Sequence, residues 1–240
     1  MTEPQRIGRF ERRMAEILAA RGIDPTIEVR LEPDDPRGEA LRLAGERIPP
    51  LFRDAQPWHP DVLSWVDEVL RAADRGITGM RRITTGPTLL IGGTTGTGKT
   101  HNAFGALRRL IASGCATRWT AYNQPDLHAH LRPRKDADNE REFLAVANSP
   151  LLILDDLGAA KPSEWTEELI YRLINRRYEH MLPTLITTNL RFDHLGDYLG
   201  DRIASRLIEM ATEVHLTGED LRRAIRAQRE LDRAHARDAA

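Results

Sequence analysis

Cysteine is almost missing from this chain: Cys115 is the only one in 240 residues. No intrachain disulfide can form, and such usage fits a reducing interior. Lysine is scarce too. Of the 35 basic residues only Lys99, Lys135 and Lys161 are lysines, and every other cation is an arginine. No segment approaches the ~18 uninterrupted apolar residues of a membrane span. The opening "MTEPQRIGRFERR" has no apolar signal-peptide region. The expectation is a cytoplasmic protein with no membrane partner. Nor is there an excess of charge of one sign. A formal net charge of −1 excludes a global basic field, so any nucleic-acid surface has to be a local patch.

What is present is ordinary globular composition. Hydrophobic residues make up 40% and charged residues 30%, too apolar for a disordered chain. The length suits one domain with a small appendage. The expected division is an appendage over residues 1–45, a main domain over 46–223 and a polar tail over 224–240.

In the appendage, Phe10, Met14, Ile17 and Leu18 fall at helical spacing, and "TIEVRL" alternates as a short strand does. "EPDDPRGE" reads as a charged, proline-punctuated linker. "GERIPPLFRDAQPWHP" is too apolar to hang free and is expected to pack against the residues after it. "DVLSWVDEVLRAADRG" predicts an amphipathic helix with Val62, Trp65, Val66, Val69 and Leu70 on one face, ended by Gly76.

Beyond it, strands and helices alternate. Strands are expected at 88–91, "ATRWTAY", "LLILDD", "TLITTN" and "EVHL". Helices are expected at 101–113, "QPDLHAHLR", "EREFLAVA", "EWTEELIYRLINRRYEH" and "DRIASRLIEM". Continuous apolar strands separated by helices predict a parallel sheet covered on both faces, hence an α/β fold.

"LLIGGTTGTGKTH" contains Gly93-x-x-x-x-Gly98-Lys99-Thr100, the P-loop pattern, between a buried strand and a helix. Glycines let backbone N–H groups wrap phosphates, and the helix N-terminus adds partial positive charge. Lysine is retained here because its compact ammonium reaches between phosphates where a planar guanidinium does not fit. Gly93, Thr94, Thr95, Gly96, Thr97, Gly98, Lys99, Thr100 and His101 are the candidate ATP-binding set, with Thr100 also a Mg²⁺ ligand. "LLILDDLG" ends a strand on Asp155, a candidate Mg²⁺ ligand through water, and Asp156, placed to polarise an attacking water. Asn189, just after "TLITT", is positioned to orient that water or sense the γ-phosphate. Arg202 and Arg206 are four apart and share a helix face.

The set "GGTTGTGKTH", "LLILDDLG", "PTLITTNL" and "LGDRIASRL", in this order, resembles the DnaC/IstB family of AAA+ ATPases, over roughly residues 46–223. The resemblance implies a P-loop NTPase fold of the ASCE type with a five-stranded parallel sheet and a reduced or absent helical lid. It implies Walker A at the P-loop, Walker B at Asp155 and Asp156, and sensor 1 at Asn189. An arginine finger at Arg206 or Arg202 and a sensor-2-like Arg222 complete the set. Asp156 stands where most AAA+ enzymes have glutamate, which implies slow hydrolysis.

The family's helicase-loader branch implies ATP-dependent self-assembly, a hexameric replicative helicase held by the appendage, and single-stranded DNA. The competing readings are a transposition helper on duplex DNA and a nucleotide-gated binding module with little turnover. Trp119, Tyr122 and Arg118, followed by Arg132, Arg134 and Lys135, could clamp a single strand. Core packing of Trp119 is the alternative. His128 and His130 read as exposed helix residues, since no metal-ligand spacing surrounds them.

Overall fold

The computed structural model describes residues 36–75, 81–115, 117–135, 137–218 and 220. The expected helix at 10–18, the strand at 26–31, the tail and Arg222 lie outside them.

The centre is a five-stranded, all-parallel sheet. Its strands are β3 (Thr88–Gly93), β4 (Trp119–Asn123), β5 (Leu151–Leu157), β6 (Thr184–Thr188) and β7 (Ala211–Leu216), in the spatial order β4-β5-β6-β3-β7. A two-stranded antiparallel ribbon, β1 (Asp74–Arg75) and β2 (Arg81–Arg82), stands apart from it and has no signature in the hydrophobic pattern.

Strands buried on both sides explain the unbroken apolar runs. Leu89, Ile91, Leu151, Ile153, Leu185 and Val214 face one way, against α1 (Pro36–Arg47), α2 (Pro60–Ala72) and α3 (Lys99–Ala112). Leu90, Leu152, Leu154 and Ile186 face the other way. There they meet α4 (Gln124–His130), α5 (Asn139–Ala147), α6 (Glu164–Glu179), α7 (Leu195–Leu199) and α8 (Asp201–Met210).

Two expectations about the first half need correction. The supposed linker runs into helix α1, because proline at a first helical position costs no hydrogen bond. That helix also crosses the expected boundary at residue 45. Ala44 and Ile48 are buried in the main core, so the unit that folds around the sheet reaches back at least to Pro36. The segment after it packs as expected, burying Ala55 and stacking Phe52 on Phe104.

Helix α2 starts as its sequence dictates, with Pro60 in its first turn and His59 Nδ1 accepting from Asp61 N–H. It stops at Ala72, four residues before Gly76, where Ala73 turns extended and leads into β1. Trp65 is fully buried and donates its indole N–H to Pro87 O at 2.9 Å, which fixes α2 against the start of β3.

Helix α6 opens with a Ser163/Thr166 capping box. Near its end Arg177 is fully buried. Burial pushes its pKa down to about 9, and four acceptors hold the charged fork: Thr184 Oγ1, Ala147 O, Ser149 O and Pro183 O, at 2.7 to 2.9 Å. One arginine thereby pins α6 to the chain leading into β5 and β6.

Candidate nucleotide site

Between β3 and α3 the chain turns through three glycines with positive φ: Gly93 at 148°, Gly96 at 87° and Gly98 at 89°. A side chain at Gly93 would strike Leu216 O of the neighbouring strand, and one at Gly96 would strike the Asp220 carboxylate. The loop therefore needs glycine both for its backbone and for its neighbours. Lys99 opens α3 and is 7% exposed. Its Nζ donates to Gly93 O and Thr94 O, both at 2.8 Å, and to Asn189 Oδ1 at 2.7 Å.

One strand, β6, lies between the P-loop strand and β5. That insertion brings Asn189, at the end of β6, between Lys99 and Asp156. Asn189 Nδ2 donates to Asp156 Oδ1 at 2.5 Å while its Oδ1 accepts from Lys99. Asp155 Oδ1 accepts from two hydroxyls, Thr100 at 2.8 Å and Thr187 at 2.6 Å. All four sequence-predicted groups of the centre, Lys99 with Thr100, Asp155, Asp156 and Asn189, thus converge on one hydrogen-bonded cluster.

Asp156 itself has φ 56°, a left-handed conformation that aspartate tolerates better than most residues. The β5–β6 ladder slips between Leu154 and Leu157 at this point, a bulge that re-aims the side chain. Three bonds hold the bulge: Thr187 Oγ1 accepts from Asp156 N–H, Thr188 Oγ1 donates to Leu157 O, and Gln124 Oε1 accepts from Gly158 N–H. None of these supports is visible as sequence spacing. Thr187, Thr188 and Gln124 are polar residues buried beside apolar strands, and that incongruity is the signal that could have pointed to them.

His101, grouped with the loop by its position, engages the segment before α2. Its Nε2 accepts from Gln56 N–H at 3.3 Å, and burial lowers its pKa below the ordinary value. Asn102, which sequence reasoning passed over, is fully buried and does more. Its Oδ1 accepts from Trp58 and His59 N–H and its Nδ2 donates to Gly98 O, so it ties that segment to the loop.

Arg202 and Arg206 lie on α8, away from this cluster's hydrogen bonds. Arg202 is exposed; Arg206 is half-buried, its guanidinium 5.4 Å from the Tyr171 ring and 5.8 Å from the Tyr178 ring. Hydrogen bonding to Arg206 holds the Tyr171 hydroxyl below its usual pKa.

Of the residues considered for a DNA clamp, Trp119 belongs to the core. It is 5% exposed and covered by the Arg47 guanidinium at 4.3 Å. Tyr122 remains accessible and stacks with exposed His130 at 5.1 Å. Arg132, Arg134 and Lys135 are exposed, with Arg134 gripping Glu142. His128 is buried against Trp165, contrary to the exposed position expected of it, because its side of α4 packs on α6. No group of three or more candidate metal ligands occurs among the described residues.

A parallel sheet with a P-loop on an inner strand, one strand inserted before the aspartates, and helices on both faces defines an ATP-binding P-loop domain of the AAA+ class. Residues 76–229 match the family described as IstB-like ATP binding protein, and the chain belongs to that family. It is 31% identical over 141 residues to an insertion sequence IS5376 putative ATP-binding protein of Geobacillus stearothermophilus, covering 56% of this chain and 55% of that one. It is 27% identical over 101 residues to the replicative helicase loader DnaI of Bacillus subtilis, covering 37% of this chain and 32% of that one. Among solved structures, the DnaC helicase loader superposes with a TM-score of 0.54 at 27% identity, over 68% of this chain and 93% of that chain. The chain thus spans about half the length of the first relative and a third of the second. No helix among the described residues is long and apolar enough to cross a membrane.

Proposed function

We propose that this chain is a Mg²⁺-dependent ATPase that assembles with ATP and places a ring-shaped replicative helicase on single-stranded DNA. The observation that carries the hydrolytic part is the Lys99–Asn189–Asp156 chain of hydrogen bonds beside the Thr100–Asp155 pair. In this reading the P-loop backbone and Lys99 bind the phosphates, and Asp156 takes the proton of the attacking water. Asn189 orients that water. The Thr100 hydroxyl and the Asp155 carboxylate are hard oxygen ligands of the kind Mg²⁺ takes. When bound, the ion neutralises charge on the β- and γ-phosphate oxygens.

Aspartate in place of glutamate puts the base on a shorter stem, and one of its oxygens is engaged by Asn189. Both favour slow turnover that assembly speeds up. Arg206, or Arg202 on the same helix, supplies the finger to a neighbour's nucleotide. The appendage before residue 36 is proposed to carry the helicase contact. Arg222 is proposed as a second sensor of the nucleotide.

Single-strand binding is supported by the Tyr122–His130 stack next to Arg132, Arg134 and Lys135. Aromatic faces with adjacent cations hold unpaired bases with little sequence preference. The likeness to the DnaC helicase loader over most of that chain favours this role. A second reading, assembly on duplex DNA as a transposition helper, is favoured by the IS5376 relative. Fluorescence anisotropy with labelled oligo-dT and a labelled duplex, with and without Mg·ATP, separates them. The loader reading expects ATP-dependent preference for the single strand and a steep fall in affinity with salt. Tight ATP-dependent duplex binding without that preference selects the transposition helper.

A further inference from the structure

Gln124 is a buried amide in the first turn of α4, 3% exposed. Its Oε1 accepts from Gly158 N–H at 2.7 Å, thirty-four residues away. Gly158 sits two residues past Asp156, in the turn that leaves β5 with φ 101°. That turn is held a second time at Ala160, whose carbonyl accepts from the Tyr198 hydroxyl of α7. Between them runs a narrow cleft lined by Gln124, Thr166, Tyr198 and Ile203. The strained carboxylate-bearing bulge is thus moored to α4 on one side and to the helix before Arg202 and Arg206 on the other.

Helix α4 is only seven residues long, and its far end carries His130 and leads directly to Arg132, Arg134 and Lys135. Its near end is fixed by Asn123, whose side chain caps it by accepting from Asp126 N–H. Asn123 also pairs in register with Asp155 across the β4–β5 ladder. The contacts from the basic end of α4 to the backbone two residues from Asp156 thus run through one helix of two turns, Gln124 and one hydrogen bond.

We propose that Gln124 is a positioning residue that couples occupancy of the 122–135 surface to the placement of the Asp155–Asp156 bulge, and through Asp155 to the binding of Mg·ATP. The proposal rests on the single-strand and ATPase reading above and names the contact through which the two sites act on each other. Because coupling between binding sites is reciprocal, it has two readouts: DNA changes nucleotide affinity, and nucleotide changes DNA affinity by the same factor. Gln124→Leu keeps the volume and removes the acceptor. Gln124→Glu keeps an acceptor for the Gly158 N–H.

The test measures oligo-dT affinity with and without Mg·ATP for the full chain and both variants, together with hydrogen exchange at the peptide containing Gly158. A coupling factor of at least about fivefold is expected for the parent, in the usual range for linked sites. It should fall below about twofold in Gln124→Leu and survive in Gln124→Glu, with the ATP and oligo-dT affinities of the separate ligands unchanged. Exchange at Gly158 should quicken in Gln124→Leu alone. Parental coupling in Gln124→Leu overturns the proposal, as does equal loss in both variants or loss of either separate affinity. A parent with no ATP-dependent DNA binding overturns the loader reading as well, and is recognised because it appears before any substitution is made.

Discussion

Thr100 and Asp155 are fifty-five residues apart in the chain and share a hydrogen bond of 2.8 Å. The hydroxyl belongs to the helix after the P-loop, the carboxylate to a strand two places away in the sheet. Only the sheet order makes them neighbours. Asp155→Ala is expected to weaken Mg·ATP binding by about tenfold or more while leaving metal-free ATP binding nearly unchanged. Calorimetric titrations with Mg²⁺ and with EDTA measure both; equal affinities for Mg·ATP in the parent and variant would remove Asp155 from the metal site.

Asp156 should separate binding from chemistry. Asparagine tolerates its left-handed backbone, so Asp156→Asn is expected to melt at the parental temperature and bind Mg·ATP normally. Turnover should fall by about 100-fold or more, because an amide takes no proton from water. Phosphate release at saturating ATP decides it, and a parental rate would place the base elsewhere.

Arg206 lies on α8 beside the rings of Tyr171 and Tyr178 and is proposed as the finger for a neighbouring copy. Arg206→Ala should keep monomer ATP affinity yet lose about 1,000-fold or more of assembly-stimulated hydrolysis, as finger removal does. Mixing it with Lys99→Ala, expected to supply a finger without binding ATP, should restore part of the rate. If Arg202→Ala shows this pattern and Arg206→Ala does not, the roles are exchanged.

Gly105 lies where α3 touches the segment before α2. A Cβ there would come within 2.4 Å of Pro57 N and 2.5 Å of Gln56 C, both backbone atoms with nowhere to go. Gly105→Ala should cost about 1–3 kcal/mol despite alanine's better helix propensity. Urea unfolding would read this as a lower midpoint; an unchanged or higher midpoint would mean that the segment is loosely held.

His101 predicts a pH dependence of stability. Burial, with the nearby Arg108 charge, lowers its pKa below 6.5. The folded chain therefore binds fewer protons than the unfolded chain between the lowered value and 6.5. The contribution is fully present above that window and is lost as pH falls through it. His101→Gln, which keeps an acceptor for Gln56 N–H, should flatten part of the decline between about pH 7 and 5. Parallel urea midpoints for parent and variant across that range test the assignment, and identical slopes would refute it.

Much of this molecule is legible from the chain alone, because short-range chemistry determines it. Short unbroken apolar runs bounded by turn residues read as strands buried on both faces, and the strands at 88, 151 and 184 fall where those runs do. Glycine spacing and the retained Lys99 mark a phosphate loop, since backbone N–H groups and a slender cation are what phosphates require. Local rules erred where a long-range contact outweighed them. Prolines near residue 36 read as a linker, but the helix they open gains Ala44 and Ile48 in the core. Trp119 offered stacking or burial, and the sheet edge with Arg47 above it chose burial.

The order of the strands was decided by the tertiary structure. Sequence places Asn189 after a strand; only the insertion of that strand between β3 and β5 sets it between Lys99 and Asp156. The same holds for Gln124 and Gly158, and for Arg177 and its four acceptors. A polar side chain buried by packing must find its partners wherever the fold brings them, and those partners have no fixed spacing in the chain.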